Sequence, residues 1–152
     1  MDLHTNVGMA ILDQLKKGFG LDLKQESVLM DEYIKSLSIK CRDSNQKAKA
    51  LSGGNQQKVV IAKWLATKPK VLIMDEPTRG IDIGSKNQIY ALINDLAKQG
   101  IGIIMISSEL PEVLQVANNI VVFAAGKITG RLENKDLTQD ILLDYATSQK
   151  AI

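Results

Sequence analysis

The chain is short of cysteine, of charge bias and of long apolar runs, and each shortage excludes something. Cys41 is the only cysteine among 152 residues, which rules out an internal disulfide and any multi-cysteine metal site and suits a reducing compartment. It reads as a structural or surface residue. Lysine and arginine total 19 against 17 acidic residues, and a net charge of +2 leaves no electrostatic footprint for nucleic acid or an acidic membrane surface. The longest apolar runs, Ile103 to Ile106 and Ile120 to Ala125, fall far short of the ~20 residues that cross a bilayer. Met1-Asp2-Leu3-His4-Thr5-Asn6 lacks the basic-then-apolar order of a secretory signal. A membrane role is therefore expected only through a partner.

What is present is the pattern of a single folded domain. With 45% hydrophobic and 24% charged residues, disorder and fibrous classes do not fit, and a chain of this length buries roughly 68–70% of its unfolded surface. Residues 1 to 23 open as a loose lead-in: Val7 to Leu15 has a helical leaning that Lys16-Lys17-Gly18-Phe19-Gly20 breaks, and His4, the single histidine, is given no role there. From Lys24 to Ile39, Val28, Leu29, Tyr33, Ile34 and Leu37 share a predicted helix face. Lys40 to Ala50 reads as loop. Asn55 to Thr67 is a mostly buried helix in which Trp64 is expected to pack into the core, ending near Pro69.

Val71 to Met74 is a continuous apolar run ending in two acids, the pattern of a parallel strand covered on both faces. Helix Ser85 to Lys98, strand Ile101 to Ile106, helix Leu110 to Val116 and strand Ile120 to Phe123 follow, the order of right-handed crossovers that builds a parallel sheet. Ala125-Gly126-Lys127 is a hairpin turn into Ile128 to Leu132, and Lys135 to Ser148 closes the chain as an amphipathic helix. Lys16-Lys17 and Lys47 to Lys49 read as solvated faces.

Two clusters carry chemistry. Ser52-Gly53-Gly54 precedes a helix, where glycines let backbone N–H groups approach an oxyanion and the helix N-terminus adds partial positive charge; taken alone, Ser52 reads first as an N-cap and the glycines as a turn. Asp75 and Glu76 sit where a strand leaves the carboxyl edge of its sheet, the ligand edge of an open α/β fold. The plain reading is a pair of acids capping a loop; in nucleotide hydrolysis adjacent carboxylates there divide metal positioning from activation of water.

Leu51-Ser52-Gly53-Gly54-Asn55-Gln56-Gln57 followed by Val71-Leu72-Ile73-Met74-Asp75-Glu76-Pro77-Thr78 resembles the signature loop and Walker B strand of an ABC-transporter ATPase. Together with Thr78-Arg79-Gly80-Ile81-Asp82 and Ser107-Ser108-Glu109, the run is similar to the C-terminal part of the second, degenerate ATPase domain of monosaccharide importers of the ribose, galactose and xylose type. The resemblance implies an α/β P-loop NTPase fold with a mostly parallel sheet and flanking helices, and it covers nearly all of residues 1–152 as one partial domain. Residues 24–67 would form the helical subdomain and signature helix, and residues 70–152 the Walker B strand, D-loop, switch strand and C-terminal hairpin and helix.

By that resemblance Ser52, Gly53, Gly54 and Asn55 bind nucleotide in trans on an opposing ATPase domain, Asp75 associates with Mg²⁺ without a direct metal bond, Glu76 is the catalytic base, and Asp82 is the D-loop aspartate. The plain reading of Asp82 is a helix N-cap. Ser108 stands at the switch position, where the family usually has histidine. A serine hydrogen-bonds phosphate but lacks the imidazole's reach and charge. No G-x-x-x-x-G-K-[ST] run is present: Gly126-Lys127 comes nearest, but Ile128 and Val121 break the pattern.

The expectation is accordingly a partial subunit lacking the Walker A strand and helix, inactive alone, exposing a sheet edge, and dependent on a P-loop-bearing ATPase domain for ATP and Mg²⁺. A membrane permease and, indirectly, a sugar-binding protein would complete the system, with the chain cytoplasmic on the inner face of the membrane and no nucleic acid partner. The alternatives are a non-catalytic module docking through Lys24 to Ile39, or an inert remnant. The C-terminal lobe of a DNA-condensation or DNA-repair ATPase fits less well, because such lobes follow long heptad coiled coils and none precedes Leu51.

Overall fold

A computed structural model describes residues 1–17 and 20–148, whose elements run α1 (Leu3–Gly8), β1 (Lys16–Lys17), β2 (Gly20–Leu21), α2 (Leu23–Ser36), a 3₁₀ turn (Ala48–Ala50), α3 (Gly53–Leu65), β3 (Val71–Asp75), α4 (Ile83–Lys98), β4 (Gly102–Ile106), α5 (Leu110–Val116), β5 (Asn119–Ala124), β6 (Lys127–Glu133) and α6 (Gln139–Thr147). They form two units, one from residues 1–73 with 77–104 and one from residues 74–76 with 105 onward. The class is α/β. The break expected at Gly18-Phe19 lies outside the described residues.

In the first unit α1 packs on α2 and α3, and α3 packs on α4. The expected loose lead-in is therefore a packed helix. Asp2 caps it by accepting a hydrogen bond from the Thr5 amide at 2.8 Å, and Leu3 and Val7, one turn apart, are buried along with Ile11 and Leu15 beyond it. A helix this short gives no periodic signal in the sequence; its stability comes from burial, at roughly 1.5–3 kcal/mol for a fully buried leucine or valine. His4 sits half-buried on α1 rather than in an unstructured stretch.

The buried face of α2 also differs from the expected one. Met30 is fully buried and Leu37 nearly so, whereas Val28 is 58% exposed. Positions 28 and 30 lie ~200° apart around a helix, so one face cannot hold both. α3 ends at Leu65, ahead of Lys68 in the left-handed region and Pro69, which cannot continue a helix. Trp64 is not core: it is half-exposed, with the Lys63 ammonium 5.3 Å from its ring centroid.

β3 and β4 pair with each other. At their start the Gly102 amide donates to the Lys70 carbonyl, and at their end the Glu76 amide donates to the Ile106 carbonyl, each at 2.9 Å, so the two strands run in the same direction. Neither strand is covered on both faces. Leu72 and Met74 are buried, but Val71 and Ile73 on the other side of β3 are 53% and 64% exposed, and Ile104 and Ile106 of β4 are exposed as well.

The second unit holds the ends of β3 and β4 with α5, β5, β6 and α6. β5 pairs antiparallel with β6 through the expected turn at Ala125 and Gly126, both with positive φ, and it does not extend the β3–β4 pair. α6 packs on this hairpin through the buried Leu142, and the buried Thr129 hydroxyl donates to the Tyr145 carbonyl at 2.7 Å.

Candidate functional site

Ser52, Gly53, Gly54, Asn55 and Asp82 belong to the first unit. Ser52 occupies the N-cap position of α3 with extended backbone angles, yet its side chain makes no capping bond. Asn55 uses its carbonyl Oδ1 to accept from the Lys40 amide at 2.8 Å, which orients its Nδ2 to donate to Ser52 Oγ at 2.8 Å. The Lys40 amide is an unambiguous donor, so Ser52 is the acceptor in that bond and its own hydroxyl remains able to donate. Ser52 and Gly53 are exposed. The start of α3 thus places exposed Ser52 and Gly53 at the N-terminus of a 13-residue helix, with Gly54 beside them buried.

Asp82 is exposed and caps α4: Oδ1 accepts from the Ser85 amide at 2.9 Å and Oδ2 from the Ser85 hydroxyl at 2.7 Å. Those two bonds from Ser85 hold its carboxyl below the usual aspartate value. The capping role weighed for Asp82 in the sequence is what its geometry displays.

Asp75, Glu76 and Ser108 belong to the second unit. Asp75 ends β3 exposed, with its carboxylate free of partners among the described residues. Glu76 follows with φ of 45°, the left-handed region that costs a non-glycine residue about 1 kcal/mol or more. Its Oε1 accepts from the Ser108 amide at 2.9 Å, and its Oε2 is unengaged. The structure therefore brings Glu76 and the switch position together through the backbone of Ser108; the Ser108 side chain is exposed.

Two features of the sites escaped the sequence. Ser107 Oγ donates to Oε2 of Glu112, which is only 2% exposed, and accepts from the Glu109 amide at 3.0 Å. This pair ties α5 to the loop that presents the Ser108 amide. An acid near the start of a helix in Glu109-Leu110-Pro111-Glu112 was the available signal. Lys58 is the other: it is 6% exposed inside α3, and its ammonium donates to the Ser38 carbonyl at 3.1 Å and to Gln88 Oε1 at 3.0 Å, joining α3 to α4 and to the residue just past α2.

Burial, reinforced by Lys40, lowers the Lys58 pKa from the ordinary lysine value. Between the lowered and the ordinary value the unfolded chain binds more protons than the folded one, so stability rises with pH through that interval and carries the full penalty below it. Urea unfolding between neutral and alkaline pH should show this rise for the wild-type chain, and Lys58→Met should lack it. Parallel pH curves for the two proteins would exclude the assignment.

A family model described as ABC transporter matches residues 2–79, just over half of the chain and the part that carries the Ser52–Asn55 loop and the Asp75–Glu76 pair. The chain belongs to the ABC transporter family. This ABC chain is 47% identical over 145 residues to the ribose import ATP-binding protein of Shouchella clausii, covering 95% of the chain and 29% of that protein. It is 45% identical over 150 residues to the xylose import ATP-binding protein of Geobacillus kaustophilus, covering 99% of the chain and 30% of that protein. It thus spans under a third of the length of the curated relatives it matches. A solved metal-chelate type ABC transporter in an inward-facing conformation superposes with a TM-score of 0.82 at 20% identity, over 96% of the chain and 57% of that protein. That likeness is one of fold, and it makes the architecture of this ABC chain an ABC ATPase architecture.

Proposed function

We propose that the chain works as part of the ATP-binding subunit of a sugar importer, supplying Ser52, Gly53, Gly54 and Asn55 in trans to ATP held on the P-loop of a partner ATPase domain. The observation that carries this reading is the start of α3, where exposed Ser52 makes no capping bond and stands with exposed Gly53 at the N-terminus of the helix. The kinship with ribose and xylose import ATP-binding proteins supports the transport role. Glu76 is the base that activates water, and Asp82 acts across the interface between domains. Turnover is coupled to sugar uptake through a membrane permease, fed indirectly by a sugar-binding protein, and this places the chain on the cytoplasmic face of the membrane.

The exposed, unpartnered carboxylate of Asp75 fits a water-bridged Mg²⁺. When bound, that ion neutralises phosphate charge. Ser108 supplies its backbone N–H to Glu76, which holds one carboxylate oxygen and leaves the other directed to water. The purified chain mixed with a P-loop-bearing ATPase domain of a ribose importer is expected to raise ATP turnover above that of either component, and Ser52→Ala in the chain is expected to reduce that gain roughly tenfold or more. Nucleotide turnover by the chain alone, abolished by loss of Glu76, overturns the proposal.

A further inference from the structure

Ser85 lies against both of the elements assigned to nucleotide contact in the first unit. A Cβ placed on Gly54 would stand 2.5 Å from the Ser85 Cβ and 2.5 Å from its hydroxyl oxygen, far inside contact distance, and one on Gly53 would stand 3.0 Å from Ile81 Cγ2. Gly54 is buried, so the closeness is a packed contact rather than a surface accident. Ser85 is at the same time the residue whose amide and hydroxyl hold both oxygens of Asp82. The glycine pair is commonly explained by the approach of phosphate to backbone; here the second glycine has a separate reason to be bare, because α4 fills its notch.

We propose that Ser85 is a positioning residue that locks the signature loop to the loop of Asp82: its side chain seats in the space Gly54 leaves, and its amide and hydroxyl fix the Asp82 carboxylate, so that displacement of either loop displaces the other. The functional consequence, that Ser52–Asn55 and Asp82 engage a partner domain as one body, rests on the trans reading above; the mechanical lock does not. Interiors pack too tightly to absorb an added methyl group without movement.

The test separates the two. In the chain alone, Gly54→Ala should speed hydrogen exchange at the Ser85 amide by roughly tenfold, and Gly54→Ala combined with Ser85→Gly, which clears both clashing atoms, should return the residue-85 amide to within about threefold of wild type. An unchanged exchange rate in Gly54→Ala, or no recovery in the double variant, overturns the lock whatever the chain does with nucleotide. In the mixture with the P-loop domain, Gly54→Ala should lose turnover and the double variant, which relieves the clash and keeps the amide bond to Asp82 but lacks the hydroxyl bond, should regain part of it. Loss without recovery assigns Gly54 to phosphate approach alone and overturns the functional coupling. A wild-type mixture without turnover removes the trans reading and leaves the exchange arm to decide the lock.

Discussion

Glu76→Gln in the chain, assembled with a P-loop-bearing domain and ATP, should cut turnover by roughly 10²–10⁴-fold, the range typical of losing a positioned general base. Nucleotide binding by the assembly should be unchanged. The substitution is close to isosteric, and the amide oxygen still accepts from the Ser108 amide that now holds Oε1, so the loop stays in place. What disappears is the proton-accepting capacity of the second oxygen, which has no partner among the described residues. Single-turnover measurement is the appropriate check, because it separates the chemical step from nucleotide entry and product release. A fall of less than about threefold would place the base elsewhere.

Leu3→Ala should destabilise the first unit by about 2–5 kcal/mol in urea unfolding, the range for removing a fully buried leucine from a core that collapses only partly around the gap. Leu3 is 0% exposed, at the start of a six-residue helix whose packing on α2 and α3 was not expected. Leu23→Ala is the control: that side chain is 66% exposed at the first position of α2, and its loss should cost no more than about 0.5 kcal/mol. Equal, negligible effects from both variants would return residues 1–15 to the status of a loose lead-in.

The contrast between those two leucines marks what was legible in the sequence. Where an element is bounded by a breaker or a cap, the reading held: α5 spans Leu110–Val116 around Pro111 as expected, and α4 begins behind Asp82 and ends before Gly100. The glycine pair at the head of α3 and the acids at the end of β3 were placed by local backbone geometry together with the resemblance of their flanking residues to a signature loop and a Walker B strand. Properties that arise when several elements meet were not legible. Lys58 reads as a solvated lysine until three chain segments close around it. Met30 is a weaker helix-face signal than Val28 on composition, yet it is the one that faces the core. The hairpin of β5 with β6 was legible at Ala125-Gly126-Lys127, whereas crossover order did not report that β5 stays out of the β3–β4 pair.

The left-handed backbone at Glu76 has an evolutionary corollary. Glycine occupies that region at no steric cost, so the residue most favourable to the polypeptide at position 76 is one with no side chain at all. A laboratory selection that rewards heat resistance alone should therefore tend to discard the carboxylate there. On the proposed reading, glutamate here serves the chemistry at the expense of the backbone it sits on.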